Sequence, residues 1–242
     1  MESIVGGPVS VPEWPAASPQ ALTQSLPEQI AAQLSARIVG GIYAPGQRIL
    51  EQTIAAEFAV SRGPVREALR LLEKDGLLII LARRGAQVTK PSIAEVKEIF
   101  DIRAVLNGVR DRGIAEDPER ARLLPSLEAE VGLLEKYARD TKRGKDYVDT
   151  VFRINRMLTA ASRNHRLQSI LDSLALQTLR YSRLGLATPD RRRQSVEHWQ
   201  KLVEAIRNGN GETAQKIAEQ RVLDSRDAAI RALEKQSGAE KA

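Results

Sequence analysis

"AVSRGPVREALRLLEKDG", residues 59–76, sets helical periodicity against two residues that a helix interior rejects, Gly63 and Pro64. Val65, Ala68, Leu69 and Leu72 form an apolar row, while Arg62, Arg66 and Arg70 recur at every fourth residue on the other side. The conflict disappears if a helix starts here. Ser61 then takes the N-cap position, its hydroxyl expected to meet a first-turn backbone N–H. Pro64 falls at the third helical position, where its missing N–H breaks no intrahelical bond. Gly63 leaves room for another surface to approach. Such a helix carries guanidinium groups beside the positive end of its own dipole, an arrangement suited to a polyanion.

The flanking residues complete a small domain. "SLPEQIAAQLSARIVGG" (25–41) predicts a first helix, with Ser25 as cap, Pro27 in the first turn and Ile30, Leu34 and Ile38 at helical spacing. "YAPGQR" (43–48) reads as a turn, and "LEQTIAAEFAV" (50–60) as a short second helix with Ile54, Ala55 and Phe58 on one face. After the third helix, "LLIILA" (77–82) and "AQVTK" (86–90) are β-prone runs joined by "RRG". Three helices and a hairpin make a winged helix-turn-helix over residues 25–90. In that fold the second helix of the motif enters the major groove, where arginine bonds a guanine edge or holds a phosphate. Between residues 61 and 90 there are seven basic residues and three acidic ones, so positive charge is concentrated on this unit.

Residues 1–24, with four prolines among Ser, Ala, Gly and Gln, predict a disordered tail in which Trp14 is the one large aromatic. Residues 91–242 show no convincing strand. Helices are expected near 92–113, 119–140, 145–162, 166–185, 190–207 and 211–233, an all-α bundle of about six helices. The fold class is therefore mainly α.

Composition excludes several functions. Of 242 residues, 42% are hydrophobic and 28% charged, as in an ordinary globular protein. Aromatic content of 4% argues against an aromatic platform for single-stranded nucleic acid. The net charge of +6 and pI near 9.7 favour an anionic partner. With no cysteine there is no disulfide framework and no thiolate metal site. No apolar stretch approaches the roughly 18–20 residues that span a bilayer, and no secretory signal pattern is present, so a cytoplasmic protein without a membrane partner is expected. There is no nucleophile motif, phosphate-binding glycine loop or pair of histidines of the kind catalysis needs. An enzyme is not expected.

The stretch "GGIYAPGQRILEQTIAAEFAVSRGPVREALRLLEKDGLLIILARRGAQV" resembles the DNA-binding domain of GntR-family transcription regulators, over roughly residues 28–90. The resemblance implies a homodimer on a short palindromic operator in double-stranded DNA. Arg62 and Arg66 correspond to base- or phosphate-contacting arginines, and Arg84-Gly85 to a wing loop that enters the minor groove. Arg48, Gln52, Ser61, Gly63, Arg70 and Arg83 complete the expected DNA-contacting set. Some relatives carry arginine where this chain has Gln52, so operator sequence does not transfer in detail.

The helical half resembles the FCD effector domain of the FadR-type subfamily. "DTVFRINRMLTAASRNHRLQSIL" follows that subfamily's D-x-x-F-H-x-x-L-x-x-A-S-G-N-x-x-L, and "SVEHWQKLVEAIRNGNGETAQKIAEQRV" follows a later E-H and H-L pattern. Many such domains hold a divalent metal between one Asp and three His, and the metal helps to bind a carboxylate. Here the acidic position reads Asp149 and the histidine positions Arg153, Trp199 and Arg221. Arginine has no acceptor to offer a cation, so no metal or other cofactor is expected. Asp149 and Arg153 can pair across one turn. Arg153 and Arg221 would then bring positive charge to the metal's place, with Trp199 as an apolar wall. Arg103 is retained in the first bundle helix, but its usual acidic companion is Asn107. Two readings stay open: a metal-free pocket gripping a small anionic effector such as a carboxylate, or a salt bridge in a filled cavity and an effector-independent DNA-binding protein. "DRRRQ" (190–194) reads as a solvated charge run. His198 is expected to face away from the site, one residue before Trp199, and His165 to bond locally.

Overall fold

The computed structural model describes residues 24–81 and 84–239, and the chain divides into two compact units after Lys90. The expected disordered tail up to residue 23, with Trp14, and the expected wing residue Arg83 lie outside the described residues.

In the first unit, α1 (Leu26–Val39) is entered through Glu28, whose carboxylate accepts the Ser25 backbone N–H at 2.7 Å and its hydroxyl at 2.8 Å. Then come β1 (Arg48–Ile49), α2 (Glu51–Glu57), α3 (Arg62–Lys74), β2 (Leu78–Leu81) and β3 (Gly85–Val88). Ile30, Leu34 and Ile38 of α1 and Val65, Leu69 and Leu72 of α3 are buried, and the two helices pack together. Arg37 ties α1 to α2, pairing with Glu57 and lying 5.2 Å over the Phe58 ring.

The sheet has three antiparallel strands in the order β1-β3-β2, one more than the expected hairpin. Arg48, expected in a turn, pairs with Gln87, and Ile49 with Ala86. A two-residue strand is too short to leave a periodic signal; burial of Ile49 holds it in place. Gly85 opens β3 at φ +82°, where a Cβ would come within 2.5 Å of the Ile49 carbonyl oxygen, so only glycine fits.

The turn before α3 is made without glycine. Val60 N–H returns to the Ala55 carbonyl at 3.0 Å, which leaves Ala59 at φ +52° in the left-handed region.

Among its described residues the second unit holds six α-helices, the number expected: α4 (Ile93–Glu116), α5 (Leu124–Arg139), α6 (Gly144–Ala161), α7 (His165–Gly185), α8 (Pro189–Arg207) and α9 (Gly211–Ala239). Short 3-10 turns at Pro118–Arg122 and Thr141–Arg143 flank α5. α4 starts with a capping box: Ser92 Oγ accepts Glu95 N–H at 3.2 Å, and Glu95 accepts Ser92 N–H at 2.7 Å. α4 lies along α9, and α7 packs against both. At Gly185 a Cβ would meet the Ser225 backbone oxygen at 2.4 Å, so the glycine allows α7 and α9 to approach. One apolar cluster joins α5, α6 and α8 around Leu134, Tyr147, Ile154 and Trp199, and a second joins α4, α7 and α9 around Phe100, Tyr181 and Val222.

A left-handed non-glycine residue costs about 1–2 kcal/mol, against a smaller gain from restricting the unfolded chain. Ala59→Gly is therefore expected to leave the thermal midpoint unchanged or raise it by the equivalent of about 0.5–1 kcal/mol. Ala56→Gly, exposed within α2, should lower it by about 1 kcal/mol. Melting curves of the two variants check the sign.

Candidate functional site

Because α3 buries Val65, Ala68, Leu69 and Leu72, its arginines are forced outward. The Arg62, Arg66 and Arg70 side chains are 62%, 53% and 60% exposed. Arg48, Gln52, Ser61, Gly63 and Arg84 are exposed on the same unit, and Gly85 is half-buried. Ser61 takes the N-cap position, but its hydroxyl makes no capping bond, which corrects the expected role and leaves the group free. A Cβ on Gly63 would meet nothing nearer than Ser61 Oγ at 4.0 Å, so this face of the helix start is open.

Glu51, at the start of α2, reaches both leading arginines. Its carboxylate accepts Arg66 Nε at 3.1 Å and Nη2 at 3.0 Å, and Arg62 Nη2 at 3.2 Å. Those bonds, Arg66's first, hold the Glu51 carboxyl below the usual carboxylate range. Local spacing does not single out Glu51, since its partners lie 11 and 15 residues further on. Arg70 pairs separately with Glu67 at 2.9 Å.

The helical unit carries charge of another kind. Arg103, Arg110, Arg191, Arg192 and Arg221 keep between 2% and 8% of their accessible surface. Among the described residues the one buried carboxylate is Asp111, which accepts Arg110 Nε at 2.6 Å and lies 3.8 Å from Arg221 Nη2. Arg103 donates to Thr178 Oγ1 at 2.9 Å and Ser182 Oγ at 3.0 Å, and Arg221 lies 3.7 Å over the Trp199 ring. Nε and Nη1 of Arg191 and Nε and Nη2 of Arg221 are buried with no hydrogen-bond acceptor among the described residues. Burial pushes Arg221 down to about 9 and Arg103, with repulsion from Arg110 added, down to about 10. Both remain cationic at neutral pH.

Arg103, Arg191 and Arg221 converge on one cavity, together with Asn155, Ser182, Ser195 and Ser225. Val151, Phe152, Leu186 and Val222 form its apolar walls, and none of the lining residues is acidic. Its space, mouth included, is about 370 Å³, but the side chains leave room inside for little more than a water molecule.

Five sequence expectations about the helical unit need correction. Arg153 does not pair with Asp149 or face the cavity; it is exposed and gives Nε and Nη2 to Glu130 at 3.2 and 2.9 Å. Asp149 is half-buried and outside the lining. Asn107 is outside the lining and donates to the Arg103 carbonyl at 2.8 Å, and fully buried Trp199 is outside it too, its ring 3.7 Å from the Arg221 guanidinium. Arg191 and Arg192, read as part of a solvated run, are buried, whereas Asp190 and Arg193 are exposed.

The first error is one of register. Beginning the family pattern at Asp149 keeps Phe152 but little beyond it. Two residues later it matches Leu158, Ala161, Ser162, Asn164 and Leu167, and the acidic and first histidine positions become Val151 and Asn155. Both line the cavity. Two residues turn a helix by about 200°, enough to exchange inside for outside. A signal for Arg192 was also present: the buried α8 row of Trp199 and Val196, carried back four residues, arrives there. His165 bonds locally, its Nδ1 3.3 Å from Gln168 Oε1, and His198 Nδ1 lies 3.6 Å from Asp224.

The residues at the four ligand positions, Val151, Asn155, Trp199 and Arg221, do not fit a divalent cation. Side chains of valine, tryptophan and arginine offer no metal-binding lone pair, and three guanidinium groups repel a cation. Among the described residues no three of His, Cys, Asp or Glu cluster as a metal site. Among them too, no helix is long and apolar enough to cross a membrane.

Residues 26–88 match the model of bacterial regulatory proteins of the gntR family, and residues 98–223 match that of the FCD domain. The chain is 32% identical to the HTH-type transcriptional regulator YdhC of Bacillus subtilis, over 77% of this chain and 83% of that one. It is 45% identical to the gluconate operon transcriptional repressor of Bacillus subtilis over 32% of each chain. Among solved structures, Escherichia coli McbR/YncC superposes with a TM-score of 0.67 at 19% identity, over 83% of this chain and 94% of that one, a likeness of fold. The relatives are transcriptional regulators and not enzymes. The winged head with its outward arginines and the helical domain that follows it in the chain thus belong to a member of the gntR family of bacterial transcription regulators that carries an FCD domain.

Proposed function

We propose that this regulator is a repressor that binds a palindromic operator as a homodimer in the cytoplasm and responds to a small anionic metabolite, a carboxylate by chemistry, without a metal. The observation that carries the effector reading is the convergence of Arg103, Arg191 and Arg221 on one cavity, where Arg191 and Arg221 have buried N–H groups without acceptors among the described residues. An unpaired buried cation costs on the order of several kcal/mol, and a bidentate anion removes that cost. Arg103 sits on α4, the helix that follows the winged head in the chain. An anion bound between α4, α8 and α9 favours whichever arrangement of these helices brings its three arginines together, and that differential affinity is what regulation requires.

The operator reading rests on the outward Arg62 and Arg66 at the open start of α3. Dimerisation is supported by Ile102, Val105 and Val109, an exposed apolar row on α4. Glu98 and Arg112 lie seven residues to either side of Val105, so an antiparallel second copy brings opposite charges together. The narrowness of the cavity favours a second reading, in which the arginines are structural and DNA binding is independent of any effector.

Three measurements test these readings. In EDTA, a panel of mono- and dicarboxylates should contain one that stabilises the fold by about 2.7 kcal/mol at 100 times its dissociation constant. Arg191→Ala should lose that shift and Arg153→Ala keep it; no shift from any acid would select the effector-independent reading. Arg62→Ala and Arg66→Ala should each weaken operator binding by about 1–3 kcal/mol for a base-reading contact, with affinity falling steeply as salt rises. Val105→Asp should give a monomer by sedimentation and bind the palindrome no better than a half-site.

A further inference from the structure

Arg62 and Arg66 are long, exposed side chains, yet neither is loose in the structure. Both end on the same carboxylate, that of Glu51, which α2 holds 17% exposed at the start of its first turn. The bond geometry matters more than the charge. Glu51 takes the Nε–Nη2 edge of Arg66, with Oε1 on Nε at 3.1 Å and Oε2 on Nη2 at 3.0 Å. A guanidinium has two edges that present paired donors. With the first edge held, Nη1 and the second Nη2 hydrogen stay uncommitted, and they form the other fork. Two parallel donors of this kind match the O6 and N7 acceptors of guanine in the major groove.

We propose that Glu51 is a positioning residue for sequence reading: it holds Arg66 by one edge so that the other is presented to the groove as a preformed fork, with Arg62 steadied beside it. The proposal rests on the reading of α3 as the DNA-contacting helix. Two physical effects follow. An arginine already held loses less rotamer freedom when it meets its base, so affinity for the right sequence rises. A carboxylate between the two guanidinium groups also offsets part of their charge and repels phosphate, so affinity for unrelated DNA falls. Both effects widen the gap between specific and non-specific binding. Arg70, paired with Glu67 one turn further along the helix, lies outside this clamp.

The test uses the full-length chain and two probes: a duplex that the wild-type protein enriches from a random-sequence library, and an unselected random duplex, both titrated over a salt series. Glu51→Gln is expected to lower the ratio of selected to random affinity about tenfold. Affinity for the random duplex should stay the same or rise. Arg66→Ala should lower the ratio as well, and adding Glu51→Gln on that background should change it by less than about twofold, since the partner is gone. Thermal midpoints of all variants accompany the titrations. Where Glu51→Gln lowers the midpoint, Glu51→Asp, which keeps the charge but is one methylene too short for the two-point contact, carries the same expected loss of ratio. An unchanged ratio in Glu51→Gln alongside a loss in Arg66→Ala overturns the positioning role. Losses that add in full in the double variant overturn it too, because Glu51 would then act elsewhere than through Arg66. If Arg66→Ala itself leaves the ratio unchanged, the reading of α3 fails, and this proposal with it.

Discussion

Asp111 lies fully buried on α4, with Arg110 at 2.6 Å and Arg221 at 3.8 Å, and among the described residues no other buried carboxylate balances the five buried arginines of the helical domain. Interiors tolerate charge only when it is paired and hydrogen-bonded. Much of the polar chemistry in the helical domain is a response to that imbalance. Thr178 and Ser182 hydroxyls accept from Arg103, Thr159 from Arg110 and the Ala187 carbonyl from Arg192, while the Trp199 ring lies beneath Arg221. Neutral acceptors and a ring face are weaker substitutes for an anion. Arg191 has fewer such substitutes, and it lines the cavity.

Guanidinium groups and a bound metal ion solve the problem of holding an anion differently. A divalent ion concentrates charge at a point and needs deprotonated ligands, which makes its site sensitive to pH and to chelators. Arginines carry their charge permanently and present it as flat forks with fixed directions, so selection falls on the shape of the anion. With Arg221 and Asn155 in its lining, this cavity offers guanidinium and amide donors and no imidazole.

The winged head uses arginine in the opposite regime. Arg62 and Arg66 are more than half exposed, and an ion pair in water adds little to stability. What Glu51 contributes there is direction. One residue type thus has two roles in this chain, set by solvent: buried in the helical domain it creates a demand for charge, and exposed on α3 it is available to a polyanion that arrives with charge of its own.

The head was legible in the sequence because its determinants are local. The apolar row of Val65, Ala68, Leu69 and Leu72 faces inward, which sends Arg62, Arg66 and Arg70 outward, and a proline within the first turn marks where the helix begins. Six helices in the second unit were legible for the same reason, as periodic runs punctuated by Pro and Gly. The missed elements were short or remote. β1 has two residues and no period, and spacing places Ser61 at the N-cap without fixing whether its hydroxyl closes a bond there. The cavity was misread through a two-residue slip beginning at Asp149, since Phe152 satisfied one position of a pattern that Leu158, Ala161, Ser162 and Asn164 satisfy better in another frame. By itself the sequence determined which residues are helical, which faces are apolar and which unit is rich in arginine, because these depend on neighbours within a few turns. Only the tertiary structure decided that Arg153 answers to Glu130, that Arg191 and Arg221 meet Arg103, and that Glu51 holds Arg66. Each of these contacts joins residues on different helices, and the burial and charge that set their chemistry arise only when those helices pack.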